Sequence, residues 1–316
     1  MTRRAQGQPG KAAPEASGGR EGVARVSPRH KGWLLLVSLA LAAACGSAER
    51  RLDAANALRH AGDSKGALAA YKVILADLGD GPLPAANAAV RWKALRFAGD
   101  VSYLELGDYG SAISYYRRIV SLHPGGKEAY EARGVIGDIY RDRFKDHLAA
   151  ITQYAEVAAS DSPLAPNFQL EVARGYLALG STERARAEAR VLREKWPQHE
   201  LAEEAQLLTA QAWALEKKDD EALGAFQALV DREPRPEMKA RALEGQAHLH
   251  AQAGRFDRAL ELYALALPTH PNPDAIRTHI EAVRERREKA KTAKPGDRAA
   301  AFDERKVKPS PREEEP

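Results

Sequence analysis

Cys45, nine histidines and a few adjacent carboxylates are the side chains of this 316-residue chain best able to act as nucleophile, metal ligand or acid–base pair. None has the spacing that catalysis needs. His248 and His250 stand two apart, so on a helix they point to different faces and cannot share a metal. His123, His199 and His270 fall in turns between helical runs and read as solvated. Glu203 with Glu204, and Asp219 with Asp220, fall at helix starts, where acidic side chains favour the helix dipole without any catalytic role. The sequence has no Gly-rich phosphate loop of the Walker type and no nucleophile elbow. The expectation is a chain that is not an enzyme, with no cofactor and no metal.

Cys45 is the only cysteine, so it has no disulfide partner within the chain. Residues 1–24, rich in Gly, Pro, Ala and Arg, have nothing to bury and read as disordered or as an upstream misassigned start, with Val23 or Val26 as the alternative initiator. Arg25, Arg29, His30 and Lys31 then precede a twelve-residue apolar run, Trp33 to Ala44. A bilayer span needs about 20 apolar residues, so residues 25–44 read as a secretory signal. Leu41-Ala42-Ala43-Ala44 before Cys45 resembles a bacterial lipobox, although that motif usually has Leu where this chain has Ala42. The resemblance implies cleavage before a diacylglyceryl-modified Cys45, and Gly46 rather than Asp after it implies sorting to the outer membrane. Conventional cleavage near Ala44, leaving a free thiol, is the alternative. Without residues 1–44, which carry seven Lys/Arg and two Asp/Glu, the chain holds 41 basic and 42 acidic residues. The formal charge of +4 therefore comes from the leader, and a nucleic-acid partner is not expected.

The rest of the chain repeats one frame. GDYGSAISYYRRIVSLHP from Gly107 returns as GRFDRALELYALALPTHP from Gly254, with copies from Gly62, Lys145, Gly180 and Lys217. Each copy keeps an alanine at its sixth place: Ala67, Ala112, Ala150, Ala185, Ala222 and Ala259. Five follow it by four residues with an aromatic, namely Tyr71, Tyr116, Tyr154, Phe226 and Tyr263. A small residue and a ring on one helical face predict a close helix crossing with the space beside it filled. Pro124, Pro197, Pro234 and Pro271 close four of the copies. The pattern predicts an all-α, right-handed solenoid of about six helical hairpins over residues 48–272, with 45–47 as the attachment point and short linker. Residues 273–290 predict a capping helix, apolar at Ile276, Ile280 and Val283, and 291–316 a disordered charged tail. The LGDGPLP stretch between the first two copies reads as an insertion at the one irregular joint.

These repeats resemble the tetratricopeptide repeat, whose units carry a small residue and an aromatic in the first helix, then Ala, an aromatic and a closing Pro. The resemblance covers about Ala48 to Pro271 and implies a concave groove, lined by first helices, that holds a protein or peptide. Counting along the motif places Phe97, Val101, Leu104, Arg174, Gln211, Glu244 and His248 in that groove, apolar near the anchor and polar further out. The family's carboxylate clamp is absent: Asn56 fits it, but Leu52 and Ala98 do not. With the lipobox, the whole resembles the outer-membrane assembly lipoproteins of the BamD (YfiO) type and periplasmic TolA-binding proteins. That implies a lipid-anchored scaffold at the periplasmic face of the outer membrane; a soluble periplasmic adaptor and a partner of a peptidoglycan-modifying enzyme are the alternatives.

Overall fold

A computed structural model describes residues 47–292, which form thirteen α-helices and no strand. The expected leading segment, secretory signal and Cys45, and the expected tail from 293 onward, lie outside the described residues. Six hairpins follow one another: α1 (Ala48–His60) with α2 (Ser64–Leu78), α3 (Ala85–Asp100) with α4 (Tyr109–Leu122), and α5 (Lys127–Ile139) with α6 (His147–Ala158). Then come α7 (Ala165–Ala178) with α8 (Thr182–Lys195), α9 (Leu201–Leu215) with α10 (Asp219–Val230), and α11 (Pro236–Gln252) with α12 (Phe256–Ala266). A last helix, α13 (Pro273–Thr292), closes the final hairpin through buried Ile276 and Val283 and the partly buried Ile280. Each element packs on its chain neighbours, and among like helices the closest packing is first helix on first helix: α1 with α3, α7 with α9, α9 with α11. The structure is therefore the helical-hairpin solenoid that the repeat frame predicts.

The repeat frame has a conformational cause. The residue opening each copy, five before its alanine, has a left-handed backbone: Gly62, Gly107, Lys145, Gly180, Lys217 and Gly254. That turn reverses the chain between the helices of every hairpin. Two of the six are lysines, which adopt this conformation only at some cost, so the turn geometry overrides local preference there. Asp63, Asp108 and Asp146 follow in three copies and cap the second helix, accepting the amides of Gly66, Ser111 and Ala149 at 2.8, 3.0 and 2.9 Å. Such a cap contributes about 1 kcal/mol.

All six crossing alanines are at most 2% exposed, and the five following rings at most 3%. Opposite each alanine the first helix also supplies a small buried residue: Ala55, Ala173, Ala210 and Ala247, twelve before the crossing alanine, and Gly99 and Gly137, thirteen before it. The extra residue in two units is real. Helices α3 and α5 end in π-helical turns, Val101–Glu105 and Tyr140–Phe144, each inserting one residue between the small position and the hairpin turn. A Cβ on Gly99 would lie 2.9 Å from the Tyr116 ring, and one on Gly137 would overlap the Tyr154 ring. Glycine at these two positions lets a tyrosine lie flat against a first helix. The insertion between α2 and α3 is clamped rather than loose: the buried Arg91 guanidinium donates to the carbonyls of Gly79 (3.0 Å) and Gly81 (2.7 Å).

Candidate functional site

The π turns decide which residues face the groove. In the units without one, the residue after the small position is Asn56, Arg174, Gln211 or His248, eleven before the crossing alanine. Counting eleven back from Ala112 gives Val101, but the extra residue moves the true equivalent to Asp100, and in the next unit to Asp138. Val101 is fully buried and belongs to the core, so its assignment to the groove is corrected. Phe97 is displaced by the same step. It is half-buried against Tyr71, with ring centroids 5.9 Å apart and the Arg59 guanidinium 6.0 Å above it, which makes it a packing residue. Leu104 is 67% exposed on the π turn itself, apart from the lining of the cleft described below. Of the three residues expected at the apolar end, Val101 is buried, Phe97 packs against Tyr71, and Leu104 is exposed but does not line the cleft.

The polar end is formed. Arg174, Gln211, Glu244 and His248 come together along α7, α9 and α11 on two contiguous clefts of about 310 and 460 Å³ that share Leu177, Gln211 and Arg241. Both volumes fall in the range of about 300–1,000 Å³ usual for binding clefts. Leu177, Leu207, Leu208, Leu215, Phe226 and Leu249 supply the apolar wall, and His279 of α13 reaches the far end. The Phe226 ring lies so close to Gly245 that a Cβ there would overlap it.

Electrostatics differ along the cleft. Arg174 is neutralised by Glu171 at 2.6 Å and by Glu204. Glu244 accepts from or pairs with His270 Nε2 at 3.0 Å and lies 3.6 Å from His279 Nδ1. The reading of His270 as solvated is thereby corrected, since its side chain is only 8% exposed and held by Glu244 across the turn. Burial, and then the neighbouring His279, lower the His248 pKa from its ordinary value. Its ring instead meets Gln252 Nε2 at 2.7 Å. Arg241 stands between the two clefts and, among the described residues, has a thioether, Met238 Sδ at 3.7 Å, as its hydrogen-bond partner and no ion-pairing carboxylate. Sequence reasoning missed Arg241. Its signal was there: it precedes Glu244 by three and His248 by seven, the spacing of one helical face.

In the first three hairpins the equivalent positions are closed. Tyr71 donates to Asn56 Oδ1 at 2.7 Å, Tyr116 to Asp100 Oδ1 at 2.6 Å and Tyr154 to Asp138 Oδ1 at 2.8 Å. Burial, and then the bond to the carboxylate, push Tyr116 and Tyr154 well above the usual phenol range, and burial raises Asp138. These phenols stay protonated donors. The last three hairpins place Ala189, Phe226 and Tyr263 there instead, and Tyr263 turns its ring onto His279 at 5.6 Å.

The tetratricopeptide repeat model matches residues 101–166, 170–237 and 220–275, together more than half of the chain. The chain belongs to the tetratricopeptide repeat family. No curated protein matches it. Similar solved structures include a tetratricopeptide repeat protein from Parabacteroides merdae (14% identity, 75% of this chain and 98% of that one, TM-score 0.41). Another is YrrB, described as a tetratricopeptide repeat protein with an unusual peptide-binding site (17% identity, 63% and 98%, TM-score 0.44). A third is PilW, a widely conserved type IV pilus biogenesis factor (16% identity, 72% and 97%, TM-score 0.45). Among the described residues no group of three or more His, Cys, Asp or Glu is arranged to hold a metal, and no helix is long and apolar enough to cross a membrane.

Proposed function

We propose that this tetratricopeptide repeat protein is an envelope scaffold that holds an extended protein or peptide segment in the cleft of hairpins four to six. The observation that carries this is the pair of contiguous clefts through Arg174, Gln211, Arg241 and His248, whose polar side chains are not tied to a second-helix tyrosine. Apolar walls supply affinity and the unpaired Arg241 selects an acceptor on the partner, a division of labour common in recognition grooves. The exported, lipid-anchored setting rests on the sequence around Cys45. Within that setting we propose attachment at the periplasmic face of the outer membrane and a role in outer-membrane protein assembly, as the resemblance to assembly lipoproteins implies.

A photo-reactive residue at Gln211 should cross-link a defined partner from detergent-solubilised envelopes, while one at Glu156, exposed on α6, should not. Arg241→Glu should abolish the Gln211 cross-link, and truncation after Lys291 should leave it in place. Cross-linking that is equal at both positions would end the groove assignment. Mass spectrometry of the mature N-terminus checks the anchor separately: a diacylglyceryl-modified Cys45 is expected, and an unmodified terminus elsewhere would remove the anchoring claim. Cys45→Ser should release the protein from membranes without altering its melting temperature.

A further inference from the structure

A second concentration of charge lies away from the groove, on the side of the second helices. Between α8 and the end of α10 there is a cleft of about 470 Å³. Arg186, Arg190 and Arg193 line it from α8, at spacings of four and three that put them on one face, with the carboxylates Glu183 and Glu194 at the two ends of that row. Trp213 of α9 forms a wall, and Arg232, just beyond α10, faces the three arginines. On α9, Trp213 lies opposite the residues that line the groove, so the two sites share no surface.

The four guanidiniums are unequally satisfied. Arg186 is paired with Glu216 and lies 3.5 Å from the centroid of the Trp213 ring. Arg190 meets Glu194 only at 3.9 Å, with both side chains about 70% exposed, which leaves little net neutralisation. Among the described residues Arg193 and Arg232 have no ion-pairing carboxylate, and the Arg193 Nε is buried with no acceptor. Burial, and then the positive charge of Arg232, lower the pKa of Arg193, with Glu194 offsetting part of that. A half-buried cation that faces a like charge and keeps an unanswered donor is unfavourable in the free protein. An anion between the two guanidiniums would supply the missing counter-charge and offset the contact between like charges.

We propose that this cleft binds a phosphate group, held between Arg193 and Arg232 with Arg190 at the rim and the Trp213 indole beside it. One carboxylate matches one guanidinium fork. Two unpaired guanidiniums call for more acceptor oxygens and more than one negative charge, which a phosphate monoester carries. The cleft is of a size that takes small molecules rather than bare ions, so it has room for what the phosphate is attached to. That chemistry is offered both by soluble phosphate esters and by a phospholipid headgroup.

The test uses the full-length chain at fixed ionic strength, titrated with glycerol 3-phosphate and with vesicles of phosphatidic acid or of phosphatidylcholine. Calorimetry reads affinity, and Trp213→Phe identifies the indole's share of any fluorescence change. The wild type is expected to bind a phosphate probe, and the Arg193→Gln, Arg232→Gln double variant at least tenfold more weakly. Without ligand that variant should melt at or above the wild-type temperature, because the mutual repulsion is gone; a purely structural role would lower it. Binding of glycerol 3-phosphate assigns a soluble ester, and binding of phosphatidic acid vesicles alone assigns a headgroup. The proposal is overturned if neither probe binds, if the double variant binds as well as wild type, or if succinate competes equally with the phosphate. Cross-linking at Gln211 should be the same in the variant, so failure here leaves the groove assignment standing.

Discussion

The first three hairpins and the last three are built on one frame but use its groove position in opposite ways. In hairpins one to three a second-helix tyrosine crosses to the first helix and donates its hydroxyl to Asn56, Asp100 or Asp138. Their buried residues from α1 to α5 also join in a single apolar cluster. In hairpins four to six the position carries Arg174, Gln211 or His248, no tyrosine hydroxyl reaches it, and the core divides into separate clusters at each junction. The difference teaches that a polar residue at the groove position is available to a partner only when the second helix does not claim it. A closed half suits rigidity and an open half suits binding.

The largest expected effect breaks the closed half. Gly137→Ala would drive a Cβ into the Tyr154 ring and should cost about 1–3 kcal/mol, read by denaturant unfolding. Ala259→Leu should cost about as much by overpacking the last crossing, since Ala259 is fully buried. If either variant melts at the wild-type temperature, the crossing register is wrong. Next comes the hydroxyl itself. Tyr116→Phe leaves the Asp100 carboxylate without its donor and should lose about 1–3 kcal/mol, whereas Tyr154→Phe, after which Arg141 still reaches Asp138 at 3.0 Å, should lose less. Tyr263→Phe, whose hydroxyl makes no bond to His248, should change stability much less. Equal losses in all three would erase the distinction between the halves.

A smaller effect of opposite sign is expected at Gly224, on an exposed part of α10 with open space around its Cα. Gly224→Ala should stabilise by about 0.4–1 kcal/mol through the unfolded chain. The smallest effect concerns a contact that the two halves share. Glu105 answers Arg59 and Ser64 of the preceding hairpin, as Glu216 answers Arg186 and Thr182. Hydrogen bonds from Lys218, Thr182 and Arg186 hold Glu216 down to about 2, against 4.5 for the free carboxyl. A lowered folded-state pKa means that its contribution is present above pH 4.5 and fades as the pH falls toward 2. The melting temperature of Glu216→Gln should therefore fall less steeply than that of the wild type across that window.

Much of this was legible in one sequence because repetition makes local chemistry visible. Six alanines in register, five rings four residues later and a turn-forming residue five before each alanine specify helical hairpins wherever they occur. The crossing geometry admits only small side chains, and the turn requires a left-handed residue. Arg174, Gln211, Glu244 and His248 were found by counting, since their units keep the regular helical period. What the sequence could not give was the phase of the second and third units. A π turn adds one residue without changing composition, and only the hydrogen-bonding of the folded helix shows where it sits. That one residue buried Val101, turned Phe97 into a packing residue and brought Asp100 and Asp138 under their tyrosines. Arg241 and the facing pair Arg193 and Arg232 also needed the tertiary structure, because whether an arginine is neutralised depends on which carboxylates other hairpins bring within a few ångströms, and sequence spacing does not carry that distance.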